Sequence, residues 1–216
     1  MPLYTAEALV LRTYKLGEAD KIVVFLTRDR GKKRGVAKGA RRPRSPFTGA
    51  LEPMTEVRVA YFEKERRELV GVNYAEPRRS PLTLGCDDAL GYVSYFAELL
   101  DEWAQEADAD DRLYRLGASM LDALSAGAPV EPLARYFEYW LLRLQGVYPE
   151  SRGNLSEAAA AFLVGSRSVP PHQVGMVPVD LRALRELEGV HRALITMHLE
   201  KTLKSDRVLR ELRRHA

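Results

Sequence analysis

The periodicity of apolar residues changes once along this chain, close to Pro77. Before Pro77, short segments rich in β-branched and aromatic residues alternate between apolar and polar positions, as strands with one buried face do. After it, apolar residues recur every three or four positions, which is typical of amphipathic helices. A chain that segregates strands from helices in this way is expected to fold as an α+β protein.

Five strands are predicted in the first part of the chain, because charged or glycine-containing turns separate five segments with a strand-like pattern. The predicted strands are residues 3–14, 21–27, 31–38, 55–62 and 69–74. Five short strands in so short a stretch favour a small closed barrel over a sandwich, and the OB-fold is the most common five-stranded barrel. We therefore predict an OB-fold, nucleic-acid-binding domain over residues 1–80.

Residues 81–216 are predicted to form an α-helical domain. The apolar positions of its helices fall within residues 90–103, 113–124, 133–144, 184–199 and 208–212. Pro132 suits the first turn of the third helix, and Asp180 can cap the fourth. The stretch 148–178 is rich in Gly, Pro, Ser and Arg, and it predicts an irregular segment with one short helix at residues 158–164.

Composition argues against several classes of protein. No apolar run approaches the roughly 20 residues that span a bilayer, so no membrane partner is expected. No basic segment precedes an apolar stretch at the N-terminus, so a signal peptide is not expected either. The single cysteine, Cys86, excludes an internal disulfide framework and a multi-cysteine zinc site, and it fits a reducing cytoplasm. Cys86 is expected to be a small buried hydrophobic residue.

The motifs of common catalytic sites are also absent from the sequence. The chain lacks the nucleophile elbow, the Walker A loop, the dinucleotide-binding glycines and the zinc-protease helix motif. His191 and His198 lie seven positions apart, whereas zinc ligands on one helix more often lie three or four apart. We therefore predict a protein that is not an enzyme and that holds no metal ion or other cofactor.

Charge is distributed unevenly along the chain. Residues 1–80 hold 18 Lys and Arg against 10 Asp and Glu, whereas residues 81–216 hold 15 against 20. This asymmetry implies two surfaces with different partners. Seven acidic residues and no basic one lie between Glu98 and Asp111. We interpret that acidic run as a solvated helix end and loop; the alternatives are a docking surface for a basic partner and a shield against DNA.

A dense basic run lies between Arg28 and Arg44, where nine Lys and Arg residues accompany one acidic residue, Asp29. Such a run repels itself and is stable only when it is solvated or faces a polyanion. Nucleic-acid phosphates are the usual polyanion, since each cation that neutralises a phosphate releases a condensed counterion. The alternative is an exposed loop that is charged only for solubility.

Strand alternation adds a geometric argument for a phosphate-binding surface. A strand over residues 32–38 would place Lys32, Arg34 and Lys38 on one face, and a flexible arginine-rich loop follows. Gly35 and Gly39 would let a backbone approach closely. The candidate DNA-binding residues are Arg12, Lys15, Lys32, Arg34, Lys38, Arg41, Arg42, Arg44, Arg78 and Arg79.

Aromatic side chains near these cations are candidates for stacking on bases, although packing in the core is the more common role. They are Tyr14, Phe47, Tyr61, Phe62 and Tyr74. Tyr61 and Phe62 are adjacent, so one of the two must face outward from a strand. The sequence does not decide which of them does.

Three segments of the strand region carry a family resemblance: Glu7 to Asp20, Leu26 to Arg42, and Gly49 to Pro53. The stretch Val36-Ala-Lys-Gly-Ala-Arg-Arg42 is the most specific part. Together these segments resemble the RecO family of bacterial recombination mediators. The resemblance is weaker in the helical part, where Tyr136 to Gly146 and Leu203 to Ser205 carry it.

The resemblance implies an N-terminal OB-fold, a helical domain and, in many members, a four-cysteine zinc module after the third helix. It implies binding of single- and double-stranded DNA and annealing of complementary strands, in the cytoplasm and associated with the nucleoid. It also implies action with RecR and assistance in loading RecA onto DNA coated by single-strand DNA-binding protein, whose acidic C-terminal tail the family recognises. This chain departs from the pattern between Tyr148 and Val177, where it has no cysteine, so we predict no zinc.

Two alternative functions stay open from the sequence. An OB-fold can serve as an RNA-binding module, which would prefer RNA over DNA of equal sequence because the 2′-hydroxyl is the distinguishing group. A protein–protein adaptor is the other alternative, in which the basic loop binds only an acidic peptide. Such an adaptor would bind the peptide without measurable affinity for DNA.

Overall fold

The computed structural model describes residues 2–63, 68–83, 87–149 and 155–215, and it leaves the side chains of residues 87, 88, 210 and 212–215 undescribed. Cys86, for which burial is predicted, lies outside the described residues. The chain forms two compact units: Met1–Gly85 with Val93–Ala118, and Cys86–Tyr92 with Ser119–Ala216. In the described part of the chain, no helix is long and apolar enough to cross a membrane.

The first unit contains a five-stranded barrel, as the alternation predicts. Its strands are β1 (Leu3–Leu16), β2 (Asp20–Thr27), β3 (Gly31–Ala37), β4 (Glu56–Phe62) and β5 (Val70–Arg79). The strands close in the order β1-β2-β3-β5-β4, with β4 pairing back onto β1. Only the β3–β5 pair is parallel. This is the five-stranded OB-fold, and the predicted fold class is confirmed.

The fifth strand is longer than predicted, because it continues past Tyr74 through Pro77 to Arg79. Pro77 cannot donate a ladder hydrogen bond and is therefore tolerated only at an edge or an irregularity. Its partner is Val57, and the register between β4 and β5 shifts between Glu56 and Val57. This shift in register lets β5 continue through Pro77 as a strand. The periodicity of apolar residues in β5 does not reveal the shift.

The barrel interior is filled by the inward side chains of all five strands. Tyr61 is fully buried there, and its ring packs edge-on against Phe25 at a centroid distance of 5.6 Å. Phe62 faces outward, and its ring lies across Gly71 so closely that a Cβ atom there would come within 2.2 Å of it. The structure thus decides which member of the adjacent aromatic pair is outside.

The sequence predicts that Gly35 lets another backbone approach closely. The backbone that does so is that of β5, a strand of the same barrel. A Cβ atom on Gly35 would lie 2.7 Å from Val72 and 2.8 Å from Val70. This contact closes the barrel.

Helices α1 (Asp87–Trp103) and α2 (Asp111–Ser125) follow the barrel. Part of the outer barrel surface is covered within the first unit: Leu9 is fully buried, and its side chain lies beside Gly117 together with that of Leu100. This packing brings the acidic run at the end of α1 onto the barrel.

The second unit contains the remaining helices, α3 (Val130–Leu144), α4 (Glu157–Gly165), α5 (Leu181–Leu199) and α6 (Lys204–His215). α4 is the short helix predicted at the apolar residues 158–164. The predicted cap of α5 is also confirmed, because the Asp180 carboxylate accepts a hydrogen bond from the Ala183 N–H at 2.7 Å. A 3₁₀ helix at Pro171–Met176, between α4 and α5, was not predicted.

Candidate nucleic-acid interface

The segment that follows β3 is held against the turn between β1 and β2. The Gly39 N–H donates to the Asp20 carboxylate at 2.8 Å, and the Arg41 N–H donates to the Ala19 carbonyl at 2.9 Å. The Arg41 guanidinium adds a bond to the Gly17 carbonyl at 2.8 Å. These three hydrogen bonds fix residues 38–44, which we name the basic loop, at one end of the barrel.

The cations of the basic loop are exposed, and so are those of the adjoining strand ends. Within the described ranges, none of them forms an ion pair with a carboxylate, since the one side-chain bond of Arg41 goes to a backbone carbonyl. The residues concerned are Lys15, Arg34, Lys38, Arg41, Arg42 and Arg44. The predicted DNA-binding residues are therefore brought together here with their charges uncompensated by close acidic partners.

The cations in the first half of the basic run are paired with acidic groups of the same chain. Arg28 donates to Asp111 at 2.9 Å and to Glu7 at 3.4 Å. The Lys32 ammonium donates to the Asp101 backbone carbonyl at 2.6 Å and lies 3.4 Å from its carboxylate. Lys32 points to the same face of β3 as Arg34, as predicted, but it is engaged by the acidic run.

Two further cations of this half have partners within the barrel. The Lys33 ammonium lies 2.9 Å from the Glu63 carboxylate. The Arg30 guanidinium lies 4.3 Å above the Tyr4 ring and 3.7 Å from Asp29. The basic run thus divides at β3 into a half whose cations have partners within the chain and a half whose cations have no close carboxylate among the described residues.

Arg12 is also occupied by the acidic run, although we predicted it as a DNA contact. Its guanidinium lies 3.3 Å from the Asp101 carboxylate and 3.6 Å from that of Glu98, and it donates to the Tyr14 hydroxyl at 3.4 Å. Burial alone would lower the pKa of Arg12, but these neighbours together raise it above its usual value.

The interpretation of the acidic run as a solvated helix end is wrong for Glu98 and Asp101, which are largely buried against Arg12, and Asp111 also pairs with Arg28 although it stays partly exposed. The loop after α1 also joins β3 through its backbone. The Lys32 N–H donates to the Gln105 carbonyl at 3.0 Å, and the Ala107 N–H donates to the Lys32 carbonyl at 3.4 Å. The acidic run, residues 98–111, therefore holds the β2–β3 end of the barrel through side-chain and backbone contacts, and we name it the clamp.

Arg78 and Arg79 lie at the end of β5, beside a groove of about 460 Å³. The groove is lined by Gly49, Pro77, Arg78, Arg79, Ser80, Leu82 and Thr83. Arg78 is exposed, whereas Arg79 lies 2.6 Å from the Glu56 carboxylate. Of this predicted pair, Arg78 is the residue that presents its charge to solvent.

Burial would by itself raise the pKa of Glu56, but hydrogen bonds from Arg79 and from the Tyr114 hydroxyl, at 2.8 Å, hold the pKa of Glu56 below its usual value. A lowered pKa contributes stability above about pH 4.5 that is lost as the pH falls further. We expect Glu56→Gln to lower the free energy of unfolding by about 1 to 2 kcal/mol at pH 7 and by less at pH 3.5. Urea unfolding at both pH values measures this, and an equal loss at both would contradict it.

The aromatic candidates divide between the core and the surface. Phe47 and Tyr61 are buried at 4% and 0% exposure, in agreement with the more common role of such residues. Tyr14 and Tyr74 are 42% and 36% exposed. Tyr14 lies on the part of β1 that pairs with β2 beyond the contact with β4, next to the basic loop.

The segment in which the family resemblance implies a zinc module for many relatives has no cysteine in this chain. Among the described residues, no group of three or more His, Cys, Asp and Glu side chains could hold a metal ion. The buried Tyr139 hydroxyl of α3 accepts hydrogen bonds from Arg143 of the same helix and from Arg167, which follows α4. The Tyr148 ring packs edge-on against the Tyr139 ring at 5.0 Å.

A charged cavity of about 290 Å³ lies between α3 and α5. It is lined by Glu131, Arg135, Leu184, Arg185, Glu188, Gly189 and Arg192. Arg135 is 4% exposed and pairs with Glu138 at 2.9 Å, which also contacts His191 at 2.9 Å. Its second terminal nitrogen, Nη1, makes no hydrogen bond within the described part of the chain. Nη1 lies 3.9 Å from the Glu188 carboxylate, so it has an ion-pair partner but no hydrogen-bond acceptor among the described residues.

Comparison with known proteins gives matches along most of the chain. The family model "Recombination protein O N terminal" matches residues 1–81, and "Recombination protein O C terminal" matches residues 88–156. A protein named "DNA repair protein RecO" from Koribacter versatilis is 41% identical over 152 residues, which cover 68% of this chain and 61% of that protein.

Two relatives of the same name match over nearly their full length. The protein from Pelotomaculum thermopropionicum is 30% identical over 240 residues, covering 95% of this chain and 93% of the relative. The protein from a Nocardioides species is 34% identical over 244 residues, covering 94% of this chain and 97% of the relative. These matches extend across both the barrel and the helices.

Proposed function

The chain belongs to the RecO family of DNA repair proteins, and we propose that it binds single- and double-stranded DNA through the basic loop. The observation that carries the proposal is the division of the basic run. The clamp neutralises the cations of the β2–β3 end, whereas those of the basic loop and of Arg34 have no close carboxylate in the described residues. A polyanion is the partner that such a surface fits.

The mechanism that we propose is electrostatic and involves no bond chemistry. Cations of the basic loop neutralise the phosphates of two strands, which lowers the repulsion between them and lets complementary bases meet. Lys15 and Arg78 extend the surface at the ends of β1 and β5. Because phosphate contacts carry no sequence information, binding is expected to be largely independent of sequence.

Titration of fluorescent oligonucleotides tests this proposal. Two unrelated DNA sequences, each single-stranded and as a duplex, are expected to bind with similar affinities that fall steeply with salt. RNA of equal sequence serves as the control for the RNA-binding alternative. A strong preference for RNA, or the absence of binding to any DNA at low salt, would contradict the proposal.

We also propose that this chain has the family's partners, which are RecR and the acidic tail of single-strand DNA-binding protein. With them it would assist the loading of RecA onto DNA coated by that protein, at the nucleoid in the cytoplasm. The cavity between α3 and α5 supports a position for the tail. A carboxylate of the tail would give Arg135 Nη1 a hydrogen-bond acceptor closer than Glu188, which lies 3.9 Å away, and Arg185 adds an exposed positive charge at the same cavity.

Arg185→Ala is expected to weaken binding of a synthetic tail peptide about 10-fold, because a charge-assisted hydrogen bond is lost while the exposed site leaves the fold intact. Arg182→Ala, an exposed neighbour on the same helix that does not line the cavity, serves as the control. Fluorescence anisotropy measures both affinities, with an amidated peptide to test the terminal carboxylate. Equal effects of the two substitutions would contradict this position.

A further inference from the structure

We propose that an apolar band on the outside of the barrel binds unpaired bases of single-stranded DNA, an inference that rests on the proposed function. The band is a row of directly paired residues that crosses the strands next to the basic loop. Its members are Tyr14, Ile22, Val36, Gly71 and Phe62. The basic loop by itself accounts only for contacts with phosphates.

The pairing register places this row on one face. Tyr14 pairs with Ile22 and Ile22 with Val36, and directly paired residues project to the same side of a sheet. Val36 then pairs with Gly71, over which the Phe62 ring lies. The adjacent positions on these strands, such as Val23 and Tyr61, fill the barrel interior. The row therefore faces outward.

The exposure of the band suits a ligand that is flat and apolar. Tyr14 is 42% exposed, and Ile22, Val36 and Phe62 are each partly exposed. Nucleobases present such a face only when they are unstacked from a duplex, and stacking on aromatic side chains does not depend on sequence. A paired duplex keeps its bases inside and leaves this band without a partner.

The charges beside the band identify the occupant as a nucleic acid strand. Arg34 and Lys38 lie two residues before and after Val36, and both are exposed and unpaired within the described ranges. They lie about 13 Å apart along an extended chain, so phosphates can be held on both sides of a base that lies on the band. An apolar peptide would gain nothing from these cations.

The Tyr14 ring is held in position by the clamp. Arg12 donates to the Tyr14 hydroxyl, and Arg12 is itself fixed by Glu98 and Asp101. This chain of contacts orients an exposed aromatic side chain before any ligand arrives, which lowers the entropy lost on binding. Tyr14 is therefore the residue on which the test depends.

The test compares Tyr14→Ala, Tyr14→Phe and Tyr74→Ala in binding to a single-stranded oligothymidylate and to a duplex at several salt concentrations. Tyr14→Ala is expected to weaken single-strand binding about 10-fold, with the salt slope and the duplex affinity unchanged, because the lost contact carries no charge. Tyr14→Phe keeps the ring and loses only the hydrogen bond from Arg12, so it is expected to weaken binding by much less than Tyr14→Ala. Tyr74, exposed but outside the band, serves as the matched control.

An abasic strand of equal length keeps the phosphates and removes the bases. The wild type is expected to bind it about as weakly as Tyr14→Ala binds the oligothymidylate. Unchanged single-strand affinity in Tyr14→Ala, or an equal loss on the duplex, would overturn the band while leaving DNA binding intact. Absence of wild-type binding to every DNA would instead overturn the proposed function itself.

Discussion

Replacing Arg41, Arg42 and Arg44 together with Ala is expected to lower the slope of log affinity against log salt by about three units. The same change is expected to weaken DNA binding on the order of 100-fold near physiological salt, since each lost phosphate contact forfeits the release of about one counterion. All three side chains are exposed and none pairs with a carboxylate in the described residues, so their charges are available to a ligand. Fluorescence anisotropy over a range of salt concentrations gives both quantities.

The matched control removes three cations from the other half of the same run, by changing Arg28, Arg30 and Lys33 to Ala. These side chains have internal partners, so the salt slope is expected to change by less than one unit. The two variants have the same net charge, which separates a local contact from the overall field of the protein. Equal slopes in the two variants would contradict the division of the basic run.

Gly31→Ala is expected to lower the free energy of unfolding by about 3 to 5 kcal/mol. Gly31 has a φ of +67°, which an L side chain adopts only with strain, and a Cβ atom there would lie 2.4 Å from the Asp108 carbonyl oxygen. Because that neighbour is backbone, relief requires the clamp to move off the β2–β3 turn. Urea unfolding followed by circular dichroism measures the loss.

Gly17→Ala is the control for the conformational part of this effect. Gly17 has a φ of +58°, close to that of Gly31, but nothing lies within 4 Å of the Cβ position. Its substitution is expected to lower stability by about 1 kcal/mol, the penalty for the left-handed conformation alone. The difference between the two losses in free energy of unfolding measures the steric contact with Asp108. Equal losses would mean that the clamp does not contact Gly31.

The architecture was predictable because it follows from local patterns. Alternation in the first part of the chain and three-to-four spacing in the rest predicted the five strands and the six α-helices of the described part of the chain, although not the 3₁₀ helix at Pro171–Met176, and the Asp180 cap followed from a single side chain. The end of β5 was missed because the register shift next to Pro77 depends on its partner strand. A strand end of that kind is set by pairing rather than by its own residues.

The division of the basic run could not be predicted from the sequence. Lys32 meets Asp101 across 69 positions and Arg28 meets Asp111 across 83, so no spacing rule connects them. The one signal present was the coincidence of a basic run and an acidic run of similar length. Tyr14 was already a candidate for stacking on bases, but its alignment with Ile22 and Val36 could not be predicted, because it arises only through the registers of three strands.

The most direct test of DNA binding by the basic loop is the annealing of two complementary oligonucleotides, followed by fluorescence at several salt concentrations. The wild type is expected to accelerate annealing at low salt and to lose this effect as salt rises. The Arg41, Arg42 and Arg44 variant is expected to show little acceleration, while the Arg28, Arg30 and Lys33 variant retains it. Acceleration that persists in the first variant, or that the wild type lacks at every salt concentration, would contradict a DNA-annealing surface on the basic loop.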